Sequence, residues 1–444
     1  MEFLIVLVGV TLILSVWNSH SVDKITKRLF IIYLVWWIIP VSLSDLGLEG
    51  LYHVTNWSMF LQLLHLIAFT LGVLTYRNNT KRVYLTNNNI EQTLESQLSR
   101  IMENKFFIAI LIVALLLAIY YFTIYQAMVA LYERASVARN AYYEGELFGP
   151  EFYYVNGLIL RPVNFMCLTL FGYSVLKKRN WVCLLMGLYL VIKASINASR
   201  FEITYIIFAV VFMNFLISKQ SIVKKIPYLL VSLIIFYIAI SYTTAIRHGY
   251  FDFSAESIYE NGMQKTNEQL ITYDVGAQVA FNYALEHDYL GKMGGHSYGG
   301  LTFCSFTNFI NFVTARLGLT VNQAIEDYAQ LAQNNIIWVA DDVEHNALYT
   351  SSLIYYLDAG VLGVIFFPFI FGLFFHYIIR KIQDTRSVWL CVMGCIFYIQ
   401  MLKSAMNWGF TSAFDFLFLM FLIFMATRRK NNSSKSTLLF RGYV

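Results

Sequence analysis

Charge is scarce in this chain. Only 13% of its 444 residues are Asp, Glu, Lys or Arg, about half the share of a soluble globular protein, while 58% are apolar. That balance excludes both a soluble protein of about three domains, which length alone would suggest, and intrinsic disorder. Proline is rare too, at five residues, which excludes collagen-like and proline-rich architectures. Five cysteines are too few for a disulfide framework. Cys167, Cys183, Cys391 and Cys395 lie inside apolar runs, where packing is their expected role, and only Cys304 sits in a polar segment. There is no Walker-type run and no strand–glycine–helix nucleotide motif, so an ATP-driven pump in one chain is excluded. What the chain has in abundance is long apolar runs. It reads as an all-α, polytopic integral membrane protein.

A helix needs about 20 mostly apolar residues to cross the hydrocarbon core. The runs that approach this length are 1–17, 29–48, 58–76, 106–126, 155–176, 181–197, 201–218, 226–246, 348–379, 387–403 and 408–427. Charge supports the count of eleven. If alternate loops are cytoplasmic, 18–28, 77–105, 177–180, 219–225, 380–386 and 428–444 hold 22 of the 32 Lys and Arg and only five acids. That asymmetry is the positive-inside signal, and it puts the N-terminus outside and the C-terminus inside. The first run follows Glu2 and precedes Lys24, Lys27 and Arg28, the order expected of an anchor rather than a cleaved signal peptide. The expected organisation is eight spans over 1–246, a large outer loop at 247–345, three spans over 346–427 and a basic cytoplasmic tail, 428–444. The net charge of +5 follows from this topology and carries no argument for nucleic acid.

The 99-residue segment 247–345 far exceeds the loops of compact domains, and such loops are usually functional. Short helices are expected near 301–317 and 320–333. The segment carries seven tyrosines, at 250, 259, 273, 283, 289, 298 and 328. Their flat apolar faces and polar edges suit sugar rings, or serve equally to dock the loop at the membrane interface.

Ionisable groups at membrane depth are expensive and are functional candidates. Arg161 falls just inside the outer end of the fifth span, Arg200 in the short outer turn before Glu202, and Arg247 at the outer end of the eighth span. Three guanidiniums at one level suit anionic oxygens, which arginine grips with a two-pronged fork. Each can instead snorkel to the surface or pair with an acid such as Glu202. Asp358, inside the ninth span, is either a partner for one of these arginines or part of a site. Asp415 stands in the same relation to Lys403. His345, in Ala340-Asp-Asp-Val-Glu-His-Asn346, sits just before the chain re-enters the membrane. It can exchange a proton near neutral pH, with Glu344 or Asp342 to orient it, or be a simple interfacial histidine. His296 lies in a stretch with five glycines in ten residues, Gly291–Gly300, a turn that could cradle a phosphate. A metal site is not expected.

Two segments resemble the bacterial O-antigen and oligosaccharide repeat-unit polymerases and their relatives, the O-antigen ligases. One is Ala198-Ser-Arg200, opening a helix at the outer edge. The other is His345-Asn346, followed by Asp358-Ala-Gly360-Val-Leu-Gly363 after a long outer loop. The plan of many spans with one dominant outer loop is similar along the whole chain. The resemblance implies a GT-C-like, metal- and cofactor-independent glycosyltransferase in the bacterial inner membrane. Its donor and acceptor would be undecaprenyl-diphosphate-linked glycans. It implies Arg200 and His345 as catalytic residues, with Arg247 added by position, and as partners membrane lipid, a chain-length regulator and a flippase of the same pathway. Arg134 with Gly145 fits an Arg-x10-Gly spacing of some polymerases. Phe201-Glu202 departs from the family, which often has a small residue after the arginine. An O-antigen ligase with a lipid A core acceptor shares this chemistry. A polysaccharide flippase or other transporter should show two similar halves, and no internal repeat is found here.

Overall fold

The computed structural model describes residues 2–76, 87–132, 147–177, 181–196, 200–217, 237, 241, 264–319, 321–333, 337–341, 343–345, 349–407, 409 and 411–439. Among the described residues the regular elements are helices and one two-stranded hairpin. Among the described residues, five helices are long and apolar enough to cross a membrane: Lys24–Leu43, Asn56–Thr75, Lys105–Leu131, Glu151–Leu176 and Ser351–Thr385. Four shorter apolar helices, Phe3–Asn18, Trp181–Ser195, Glu202–Ile217 and Val388–Lys403, match four further runs. The run at 226–246 lies outside the described residues, apart from Tyr237 and Ser241. The protein is thus an all-α membrane protein.

The chain forms two compact units, one from residues 1–90 and 271–444, the other from 91–270. The first holds α1 (Glu2–Asn18), α2 (Lys24–Leu43) and α3 (Asn56–Thr75). Asp23 starts α2 by accepting from the amides of Ile25 and Thr26, which satisfies two donors that a helix start leaves open. The second unit holds α4 (Asn87–Met102), whose first turn belongs to the other unit, and α5 (Lys105–Tyr132). Next come α6 (Glu151–Val155), which passes through a π turn at Asn156–Leu160 into α7 (Arg161–Lys177), then α8 (Trp181–Ser195) and α9 (Arg200–Ile217). The chain then runs through α10 (Gln264–Asp274) back to the first unit. There follow α11 (Gly276–Glu286), α12 (Tyr289–Lys292), α13 (Cys304–Arg316), α14 (Ala324–Tyr328), a hairpin of β1 (Ile337–Ala340) and β2 (Val343–His345), α15 (Ser351–Thr385), α16 (Val388–Lys403) and α17 (Ala413–Leu439).

The backbone of the first unit is the packing of α3 on α15. Gly72 lies against the Phe369 carbonyl and Gly372 against the Phe69 carbonyl, so a Cβ at either position would strike backbone. Reciprocal small residues bring two helices into close contact, as membrane helices require when burial from water does not drive them together. His65 Nδ1 meets the Ser352 hydroxyl at 2.9 Å between these helices, and the same histidine is hydrogen bonded to Tyr33 of α2 at 3.0 Å.

The span read at 348–379 is in fact two helices joined by a sharp bend. Ala359 (φ −155°, ψ 29°) and Gly360 (φ 61°, ψ −145°) leave helical geometry, and the left-handed φ at Gly360 is one that glycine adopts without penalty. In a continuous helix Tyr355 would stand about 18 Å from Phe367 and about 24 Å from Phe371 along the axis. Their ring centroids are 5.8 Å and 6.0 Å apart. Residues 351–358 therefore fold back onto the following turns, and 361–385 is long enough to cross about 30 Å of hydrocarbon alone. Such a break is tolerated at membrane depth where protein surrounds it, and the first segment, from Ser351 to Asp358, is almost wholly buried.

The expected outer helices near 301–317 and 320–333 correspond to α13 and to α14 with its following π turn. Unexpected from the sequence is α11, which is buried from Gly276 to Phe281 and at Asn282 and Ala284. The Thr55 amide and hydroxyl donate to Asn282 Oδ1, and Gln278 Nε2 donates to the Ala405 carbonyl at 3.2 Å. This part of 247–345 is core, tied to helices by side chains that polar composition alone would place in a loop.

Candidate functional site

In the second unit a polar cluster forms where α7 begins, α8 ends and α9 begins. The π turn before α7 widens the helix, a feature frequent at functional sites, and the Tyr189 hydroxyl donates to the Leu160 carbonyl at its end. Arg161 opens α7 half-buried, and Asn164, one turn on and 5% exposed, shares its face. Asn164 Nδ2 donates to Glu202 Oε2 at 3.2 Å, and Lys193 Nζ lies 3.5 Å from Glu202 Oε1. Lys193 sits in the last turn of α8 and Glu202 in the first turn of α9. Each is at the helix end whose dipole favours its charge. Arg200 is the first residue of α9; its side chain is outside the described residues.

Of the described side chains Arg161, Lys193 and Glu202, two are cations and one is an acid, and Arg200 begins the same helix as Glu202. Lys193 pairs with Glu202, the acid that sequence reading had offered to the arginines. It was legible: one lysine inside the apolar run Trp181–Ile196 is the kind of group that marks a membrane site.

In the first unit, Asp358 sits at the tip of the folded-back helix and is fully buried. It does not function as a bare charge awaiting an arginine. Its carboxylate accepts from the Ser297 hydroxyl, from the Leu301 amide at 3.1 Å and from the Thr302 amide at 2.7 Å. The Ser297 and Tyr298 amides in turn donate to the carbonyls of Leu357 and Asp358, at 3.2 and 3.0 Å, which the broken helix cannot satisfy itself. Asp358 thereby fastens the glycine-rich turn to the bend. Upon that turn stand two exposed rings, His296 and Tyr298, with centroids 6.2 Å apart. Tyr298 is 87% exposed and adopts φ 51°. A bulky residue in left-handed backbone is an outlier, and such strain gathers at ligand-binding positions.

Two other tyrosines of the segment, Tyr289 and Tyr328, are buried and belong to the core rather than to a sugar-binding face. His345 and Glu344 lie on β2, opposite Ile337 and Trp338 of β1; their side chains are outside the described residues, as are Asp342, Arg134 and Arg247 altogether. Asp415 accepts from the Ser412 amide at 3.3 Å and thus caps α17.

Two titrations in the segment 247–345 depart from the ordinary. Burial pushes the Asp274 carboxyl up to about 7, so it can hold or release a proton near neutrality, as acid–base groups must. Burial, with the charges of Asp358 and Asp415, pushes the Cys304 thiol up to about 12, which makes it inert. Among the described residues no three His, Cys, Asp or Glu are grouped to hold a metal ion.

No family model matches the chain, and no curated protein or solved structure is detectably similar to it.

Proposed function

We propose that the chain is a polymerase of undecaprenyl-diphosphate-linked oligosaccharide repeat units, of the O-antigen, capsular or exopolysaccharide kind. It would act at the outer face of a bacterial inner membrane, with eleven spans, the N-terminus outside and the C-terminus inside, in a GT-C-like arrangement. The observation that supports this reading is the polar cluster of Asn164, Lys193 and Glu202, with Arg161 on the same helix face as Asn164. It lies at the start of the helix that Arg200 opens, where cations would suit the oxygens of a diphosphate.

In the reaction a hydroxyl of the acceptor glycan attacks the anomeric carbon of the donor. The bond from that carbon to the diphosphate oxygen breaks, and undecaprenyl diphosphate leaves with the bonding pair. Negative charge builds on the departing oxygens, so cations fixed in place favour the transition state over the ground state. Arg200 and Arg247 are assigned to the diphosphate, with Arg161 and Arg134 as supporting cations. His345, oriented by Glu344 or Asp342, receives the hydroxyl proton or passes one to the departing phosphate. No nucleotide or metal is required, because the diphosphate linkage stores the energy. Donor and acceptor come from a flippase and are released under a chain-length regulator.

Deletion of the gene tests this. Cells should retain single repeat units on the surface acceptor and lose the long-chain ladder, with lipid-diphosphate-linked units accumulating on the outer side of the membrane. Loss of single repeats together with the ladder would contradict the polymerase and point to the ligase or the flippase.

A further inference from the structure

The helix α13 lies in the segment expected to be an aqueous loop, yet its surface is wrong for water. Phe303, Phe306, Ile310, Val313 and Leu317 recur at steps of three and four residues, which places them on one helical face. All five are between 38% and 68% exposed. Over the first half of α13 the opposite face is bound to protein, while Phe312 beyond it is 41% exposed. Cys304 and Ser305 are buried, and Asn308 Nδ2 donates to the Thr411 carbonyl at 2.6 Å. From Phe303 to Leu319 the one charged residue is Arg316, in the last turn of the helix, with its guanidinium 4.6 Å from the centre of the Phe312 ring.

We infer that this face is covered by the bilayer itself: α13 lies in the outer interface, its apolar stripe against lipid acyl chains. Continuity with the exposed apolar surface of α17 identifies the occupant. The rings of Phe306 and Phe309 pack on Phe416, at 5.1 and 5.2 Å. The next turns of α17 expose Leu417, Met420, Phe421 and Phe424, residues that an apolar helix of a membrane protein turns toward lipid. The α13 stripe extends that surface sideways. A contiguous apolar patch of this kind in water would be a liability, whereas a helix with one apolar face and few charges elsewhere is stable in the interface plane. Arg316, on a long apolar stem, can keep its charge at the level of the lipid phosphates. The inference stands apart from the polymerase reading, since it concerns where α13 lies and not what the chain transfers.

Spin labelling in phospholipid vesicles tests it on the full-length chain. Cys183 is the one natural thiol that is not buried, so a Cys183→Ala background leaves four inert thiols. Cysteine is then introduced singly as Phe306→Cys, Ile310→Cys, Val313→Cys and Leu317→Cys, with Asn311→Cys and Ala315→Cys as comparisons. Because all four stripe positions are exposed, the chain should tolerate each change. Collision with dissolved oxygen should exceed collision with a water-soluble nickel chelate several-fold at the stripe positions, falling at 311 and 315 with the helical period. A stripe dominated by the nickel chelate would place α13 in water. A stripe shielded from both would mean a protein covers it, a second copy included. Either result overturns the inference.

Discussion

Arg200→Ala and Arg200→Lys are expected to lose long-chain polysaccharide to nearly the same extent, and His345→Ala to lose it by about 10²–10⁴-fold. In each variant the protein should still insert, and His345→Ala should still bind lipid-linked substrate. The arginine argument rests on geometry. Lysine keeps the charge of Arg200 but not the planar fork that meets two phosphate oxygens at once, so charge alone should not rescue it. Lys193 beside Glu202 sharpens the point. That lysine cation is already committed to an acid, so on the proposed mechanism the diphosphate is left to the guanidiniums. The histidine argument rests on proton transfer, since the attacking hydroxyl must lose its proton as the glycosidic bond forms. The readout is the length distribution of polysaccharide at matched protein abundance. Full-length polymer from well-expressed Arg200→Ala and His345→Ala would remove both residues from the mechanism while leaving the fold unaffected.

Asp358 should behave in the opposite way. Asp358→Ala leaves the Ser297 hydroxyl and the Leu301 and Thr302 amides without their acceptor inside the protein. Each unmet buried donor costs about 1–3 kcal/mol, and together they are a large part of the about 5–15 kcal/mol that holds a typical domain folded. The Ala variant should therefore fall sharply in abundance and in thermal stability in detergent. Asp358→Asn, which keeps one acceptor oxygen, should fall between it and the natural chain. Whatever folded protein remains should keep much of its activity per molecule. A normally abundant, stable and inactive Asp358→Ala would instead make this carboxylate part of the chemistry.

The runs of apolar sequence were enough to place most of the membrane helices, because crossing hydrocarbon imposes a length and a composition that few other elements share. The helix at α13 was legible for a similar reason, its period being plain between Phe303 and Leu317. The bend in α15 was not. From 348 to 379 the sequence is continuously apolar, and the reversal depends on the backbone of Ala359 and Gly360 and on a turn some sixty residues earlier that caps it. Burial of α11 was hidden in the same way: its Gln278 and Asn282 look solvent-facing until Ala405 and Thr55 are seen to meet them. Asp358 was found as a residue of interest, with an arginine as its expected partner. Its partners are a hydroxyl and backbone amides, which carry no charge signal for a sequence reader to pair. Lys193 shows the reverse case, a signal present in the sequence but averaged away in a span chosen by its mean hydropathy.

The most direct test of the central claim is chemical. The purified chain, reconstituted in lipid vesicles without nucleotide or added metal, is given a single undecaprenyl-diphosphate-linked repeat unit. The account predicts products of two and more repeats, with one undecaprenyl diphosphate released for each repeat added. Intact substrate from correctly inserted protein, when the repeat unit is the one made by its own host, or transfer that occurs only when a lipid A core acceptor is supplied, would contradict it.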